Sequence, residues 1–296
     1  MAMRAGVWLG AGVLAVLVAL VLWRHVPAAQ SGVLGTDDAR AQASRAEALP
    51  SAASGARRPQ ASLAQEHRVQ EFQALKQRAE AGDRVAQRLL AEIYSDCLVV
   101  NQRRDAFISI LDARKRRLSD KSYIRFLEQA TRERIATCDA ADGGGQWDMG
   151  PYNHWYTEAA KRGDLAARAL MRPQELTRYD PAETVRLLEE VLASGDPAAV
   201  FYFGITLLRD DAVTPGDPTE ALTSGALASW SWMVAACRMG YDCGPTSRVM
   251  VNFCLDMDGC TGEDMETHVR RRQPTDAERG ELERRVGEIL GLIKGQ

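Results

Sequence analysis

A chain of 296 residues that is 46% hydrophobic and 26% charged has the make-up of a globular protein and room for one or two domains. Its formal net charge of -3 excludes a globally basic nucleic-acid binder, which would carry a positive domain or a one-sided basic stripe.

The N-terminus, "MAMRAGVWLGAGVLAVLVALVLWRH", places one basic residue, Arg4, before an uncharged run from Ala5 to Trp23. At 1.5 Å per residue that run spans roughly 28 Å, close to the hydrocarbon thickness of a bilayer. Residues 1–28 are therefore expected to form a single-pass transmembrane signal-anchor. Because "VPAAQ" follows Arg24 and His25, cleavage near Ala28, leaving a secreted or periplasmic chain, is the alternative. Flanking charge fixes the orientation poorly, with Arg4 and the terminal amine facing Arg24 and His25 across the span. Cysteine usage points one way. All six cysteines, Cys97, Cys138, Cys237, Cys243, Cys254 and Cys260, follow the apolar run, and their even number suits disulfides in an oxidising compartment. The expected location is the inner membrane with the body in the periplasm.

Residues 29–62 are Ala, Ser, Gly, Pro, Gln and Arg with scarcely a large apolar side chain. Such a stretch cannot bury enough surface to offset the entropy of ordering and is expected to be a disordered linker. Helical periodicity then runs from about Leu63 to 294, without two-residue strand alternation. Val69, Phe72, Leu75 and Ala79 stripe one predicted helix; Val85, Leu89, Ile93 and Cys97 stripe the next. Between helices a Gly-Asp pair recurs at Gly82-Asp83, Gly163-Asp164 and Gly195-Asp196, with a looser form at Gly240-Tyr241-Asp242. The glycine closes one helix in the left-handed conformation and the aspartate caps the next. Capping signals at Asp180-Pro181, Asp217-Pro218 and Thr275, each three residues before a glutamate, agree. The corners fall 81, 32 and 45 residues apart, as if the first interval held an additional, degenerate helix pair. Helix pairs at this period predict an all-α fold, an α-solenoid of antiparallel pairs.

"WYTEAAKRGDLAARAL" and "LLEEVLASGDPAAVFYFGITLL" resemble the centre of Sel-one-like repeats, a family related to tetratricopeptide repeats. Ala159, Ala160, Gly163, Asp164 and Ala167 match in one unit and Gly195, Asp196, Ala198, Ala199 and Gly204 in the next. The resemblance covers roughly residues 150 to 255. It implies a scaffold that binds proteins or peptides, and it implies no catalytic residue.

Helix geometry pairs the cysteines. Cys237 sits near a helix end while Cys254 lies about ten residues along the following helix, so antiparallel packing separates them beyond the ~7 Å that a disulfide allows. Cys237 is expected to pair with Cys243, as in secreted members of the resembled family, and Cys254 with Cys260. If the first and third of three successive antiparallel helices run parallel, Cys97 and Cys138 meet at one end. Zinc ligation would need closer cysteine pairs or histidine partners, and His25, His67, His154 and His268 are scattered; no metal and no cofactor is expected.

No familiar catalytic motif stands in the sequence. The acidic loop "LDMDGCTGED", with Asp256, Asp258, Glu263 and Asp264, lacks the glycine and glutamate positions of an EF-hand. The basic runs "DARKRRLSDK" and "HVRRRQ" suit either a solvated helix face or an anionic partner such as a membrane surface. Trp147 in "DAADGGGQWDMGPYN" either packs into its own loop or is exposed. Trp155, Tyr156, Trp230, Trp232 and Met233 lie on helices that would line the concave face of a solenoid. They serve either as core or as a partner groove, where aromatics make binding hot spots. The expected function is a membrane-tethered periplasmic scaffold for a protein or peptide of the cell envelope, without catalysis; the alternatives are an envelope enzyme acting on cell-wall material and a structural spacer.

Overall fold

The computed structural model describes residues 60–171, 181–207, 220–256, 260–273 and 275–294, and among them the regular structure is helical, without a strand. The apolar run 5–23, most of the expected linker, and the capping signals at Asp180 and Asp217 lie outside the described residues. Among the described residues no helix is long and apolar enough to cross a membrane.

In chain order the helices are α1 (Gln60–Glu80), α2 (Arg84–Gln102), α3 (Arg104–Lys115), α4 (Lys121–Ala140), a 3-10 turn (Ala141–Gly144), α5 (Gly150–Lys161), α6 (Leu165–Met171) and α7 (Pro181–Ser194). They continue with α8 (Pro197–Leu207), α9 (Glu220–Thr223), α10 (Ala228–Arg238), α11 (Arg248–Asp256), α12 (Met265–Arg271) and α13 (Asp276–Lys294). The helical body thus begins at Gln60, three residues before the expected start at Leu63.

The corners have the conformation their residues dictate. Gly82, Gly163 and Gly195 have φ of 92°, 83° and 59°, values that a side chain disfavours. Asp83 Oδ1 accepts from the N–H groups of Val85 and Ala86 at 3.0 and 3.1 Å. Asp164 Oδ1 accepts from Ala167 at 2.7 Å, and Asp196 Oδ1 from Ala198 at 2.9 Å. Thr275 and Glu278 form a reciprocal capping box before α13. The fourth corner differs. Gly240 is left-handed, with φ 101°, but α11 starts only at Arg248, where Ser247 Oγ accepts from Met250 at 3.3 Å. The Cys237–Cys243 bridge folds this longer corner back on α10, and Tyr241 stacks on Phe201 with ring centroids 4.5 Å apart.

Successive corners lie beside one another. Arg84, one residue past the first corner, donates to the Gly163 carbonyl at 3.3 Å, and α2 packs directly on α5. The additional helix pair expected in the long first interval exists as α3 and α4, but it is not interposed between neighbours. It leaves the row and packs on α1, α2 and α11. Of the expected apolar stripe of α2, Cys97 is fully buried and Leu89 and Ile93 are half-buried, but Val85 is 40% exposed, and Ala86, Leu90, Ala91 and Tyr94 make up the rest of the buried face. The next apolar layer unites Phe201 and Phe203 of α8 with Trp232 and Met233 of α10 and with Leu282 and Ile289 of α13.

Gly204 makes that layer possible. A Cβ there would stand 2.9 Å from Trp232 Cβ and 3.0 Å from the Ser229 carbonyl oxygen, so α8 and α10 approach on bare backbone. Gly204→Ala is expected to destabilise by about 1–3 kcal/mol through overpacking. Gly163→Val should cost on the order of 1–2 kcal/mol through backbone strain. Urea unfolding of both variants measures these losses, and hydrogen exchange on Gly163→Val should show protection lost first in α5 and α6. Wild-type protection there would show that the corner is not under conformational constraint.

Candidate functional site: a buried polar seam

Arg88, Glu92 and Asp96 recur at four-residue intervals along α2 and so share one face. That face is covered. Arg88 and Glu92 are 6% and 2% exposed, because α5, α8 and α11 bring further polar side chains onto them. Arg88 Nη1 donates to Glu92 Oε1 at 2.8 Å, and its Nε donates to Asp164 Oδ2 at 3.2 Å. Tyr202 of α8 donates its hydroxyl to Glu92 Oε1. Arg248, the first residue of α11, donates to the same hydroxyl at 2.6 Å and pairs with Glu92 Oε2 at 2.9 Å and Asp96 at 3.1 Å. Asn252, one turn on, donates to Asp96 at 2.8 Å and accepts from Arg134 of α4. Arg134 also donates to the Asp96 carbonyl at 3.0 Å.

Three guanidinium groups, on Arg88, Arg134 and Arg248, thus meet three carboxylates, on Glu92, Asp96 and Asp164, and the seam is neutral in itself. Burial pushes the Tyr202 hydroxyl well above its ordinary pKa, and the Glu92 charge adds to that. Burial works against the charge of Arg248, while Tyr202, Glu92 and Asp96 hold it and raise its pKa overall. Burial likewise raises the Asp164 carboxyl against the pull of Arg88. Both Glu92 oxygens are committed, one to Arg88 and Tyr202 and the other to Arg248. An arrangement so compensated suits a latch between helices distant in sequence. General acid–base work asks for a group with a lone pair or proton left for substrate. The seam escapes sequence inspection because its donors sit on separate helices, although the Arg88, Glu92, Asp96 spacing is a visible signal.

Cys97 with Cys138, Cys237 with Cys243, and Cys254 with Cys260 form disulfides with Cα separations of 5.2, 5.6 and 5.5 Å. The first joins the ends of α2 and α4, where Asn101 also donates to the Cys138 carbonyl at 3.3 Å. Of the groove candidates, Trp232 and Met233 are fully buried and Tyr156 is 3% exposed, so these three are core. Trp155 and Trp230 are half-buried; the first touches His154 and the second Phe253. Trp147 packs edge-on against Tyr94 at 5.1 Å and donates to its carbonyl at 3.2 Å. The loop turns on Asp142 at φ 45°, where the carboxylate accepts from Lys76 and from the Tyr94 hydroxyl.

In the acidic loop, Asp264 caps α12 through Thr267 at 2.8 Å. Glu263 accepts from Thr261, from Arg271 and from the buried His268. Asp258 lies outside the described residues, which contain no group of three metal-ligating side chains. Comparison with family models, with curated proteins and with solved structures finds no match to this chain.

Two measurements test this electrostatic frame. Asp164→Ala should cost roughly 3 kcal/mol, because a buried guanidinium loses a partner along with the helix cap. Asp83→Ala, which removes a cap on the surface, should cost about 1 kcal/mol. Equal losses in urea unfolding would remove the seam's claim on stability. Burial alone would raise the Glu263 carboxyl, but its bonds from Thr261, Arg271 and His268 hold it at about 2 in the fold. A carboxylate depressed in this way stabilises above its unfolded pKa and loses that contribution as pH falls from about 4.5 toward 2. Glu263→Gln should therefore flatten this part of the acid limb of the stability–pH curve.

Proposed function

We propose that this chain is a membrane-tethered, extracytoplasmic helical-repeat scaffold that binds a protein or peptide of the cell envelope. In this proposal residues 1–28 anchor it in the inner membrane, residues 29–62 are the tether, and the α-helical body stands in the periplasm as a solenoid of the Sel-one-like kind. The observation that carries the proposal is the complete pairing of the cysteines in three disulfides. A reducing cytosol does not maintain such bonds. The adjacent left-handed glycine corners with their aspartate caps support the repeat architecture. Half-buried aromatics support the binding role: Trp230 with Phe253, and Trp155 with His154, present large, stiff surface at low entropic cost.

Crosslinking in intact cells, followed by purification of the chain, tests the proposal. One envelope protein in stoichiometric yield, lost on combining Trp230→Ala with Phe253→Ala, is the expected outcome. Bound wall fragments would favour an enzyme on cell-wall material, and the absence of any reproducible partner would favour a spacer. Peptide mapping without reduction should recover the three disulfides from the same preparation; free thiols throughout would withdraw the periplasmic placement.

A further inference from the structure

The two basic runs of the sequence have different fates in the fold. In "HVRRRQ", Arg270 pairs with Glu266 and Glu283 at 2.8 and 2.6 Å, and Arg271 with Glu263 at 2.6 Å. That run is largely neutralised. Around "DARKRRLSDK", Lys115 is taken by Asp112 at 2.7 Å, and the Asp120 carboxylate caps α4 through Ser122 and Tyr123. Arg116, Arg117, Lys121 and Arg125, at the turn between α3 and α4, are all exposed and have no ion pair among the described residues. From Arg103 to Arg125 the chain holds eight basic residues against three acidic ones, a surplus of five in a molecule whose net charge is -3.

The same hairpin carries the most exposed of the large hydrophobic side chains described, Ile110 at 65%. Arg103, which precedes α3, and Arg117, which follows it, are exposed as Ile110 is. Ala106 and Ala113, half-buried, keep the surface between them low. Exposed basic residues and an exposed aliphatic side chain on one hairpin suit a lipid headgroup layer, where the cations meet phosphates and the apolar side chain enters the interface. A protein partner would more commonly meet an aromatic anchor.

We propose that the α3–α4 tip docks on anionic lipid headgroups, with Arg116, Arg117, Lys121 and Arg125 on the phosphates and Ile110 entering the interface. This rests on the tethered reading above for proximity. A tether of about 31 residues, from 29 to the start of α1, has under the tethered reading a root-mean-square reach of roughly 28–33 Å, against a radius of gyration of about 18 Å for a body of this size, which keeps contact with the bilayer within reach. Basic residues near an anionic surface favour contact by on the order of fivefold each. Neutralising four should therefore lower the docking equilibrium constant by roughly a hundredfold or more at low salt.

The test uses the full chain reconstituted in vesicles of phosphatidylcholine alone or mixed in equal parts with phosphatidylglycerol. Hydroxyl-radical oxidation of Ile110 is read by mass spectrometry. Oxidation should fall several-fold on the anionic vesicles only. It should recover at about 1 M salt, where the Debye length is about 3 Å, and in the combined Arg116→Gln, Arg117→Gln, Lys121→Gln, Arg125→Gln variant with wild-type helicity. Equal oxidation on both vesicle types would overturn the proposal, as would protection that appears only when solubilised envelope proteins are added, which would assign the tip to an acidic protein. Flotation with neutral vesicles at high salt scores the anchor separately. A chain that fails to float but still gains protection from phosphatidylglycerol would lose the tether and keep the lipid surface.

Discussion

Glu92 is 2% exposed and held between two arginines, and much of the tertiary arrangement follows from that constraint. A buried carboxylate must have its lone pairs filled by cations or donors, or its desolvation cost exceeds what a single helix can offset. The donors come from far along the chain: Tyr202 lies 110 residues away, and Arg248 stands at the start of α11. The carboxylate therefore fixes where α8 and α11 sit against α2. Asp96, one turn on, extends the same demand to Asn252 and Arg134 and draws in α4. Ion pairs of this kind are modest contributors to net stability and strong contributors to which arrangement is adopted, since any other placement leaves a charge buried without a partner.

The disulfides and corners act within that frame. Two bridges are local, tying Cys237 and Cys254 to cysteines six positions on, and they shape the ends of α10 and α11. The third joins α2 to α4 across 41 residues and holds the α3–α4 hairpin on the face where the seam lies. Trp232 and Met233 are interior because α8 packs on them through Gly204 and Phe203, with α13 completing the layer. Trp155 and Trp230 stay half-buried.

A body organised in this way separates stability from contact. Charges that hold the helices together are consumed in pairs, whereas the α3–α4 tip has exposed basic residues without an ion pair among the described residues and an aliphatic side chain in solvent. Under the tethered scaffold proposed above, the tip would orient the body on the membrane while the aromatic surface of α10 and α11 meets a partner. Neither role depends on the seam as a chemical centre.

Local features were legible in the sequence because local physics sets them. A glycine followed by a capping aspartate dictates a left-handed corner wherever it stands, and Gly82, Gly163 and Gly195 all take that form. Cysteines six apart at a helix end have few geometrically feasible partners. The seam, the excursion of α3 and α4, and the burial of Tyr156, Trp232 and Met233 among the groove candidates were decided by the tertiary structure. Each depends on which helix faces which, and helical periodicity carries no record of that. Arg88, Glu92 and Asp96 resemble a solvated stripe until α8 and α11 cover them. The two basic runs differ for the same reason: glutamates on α12, on α13 and in the loop before α12 neutralise one, and among the described residues no acidic side chain forms an ion pair with the four exposed basic residues of the other. Pairing between distant charges is a property of the packed molecule.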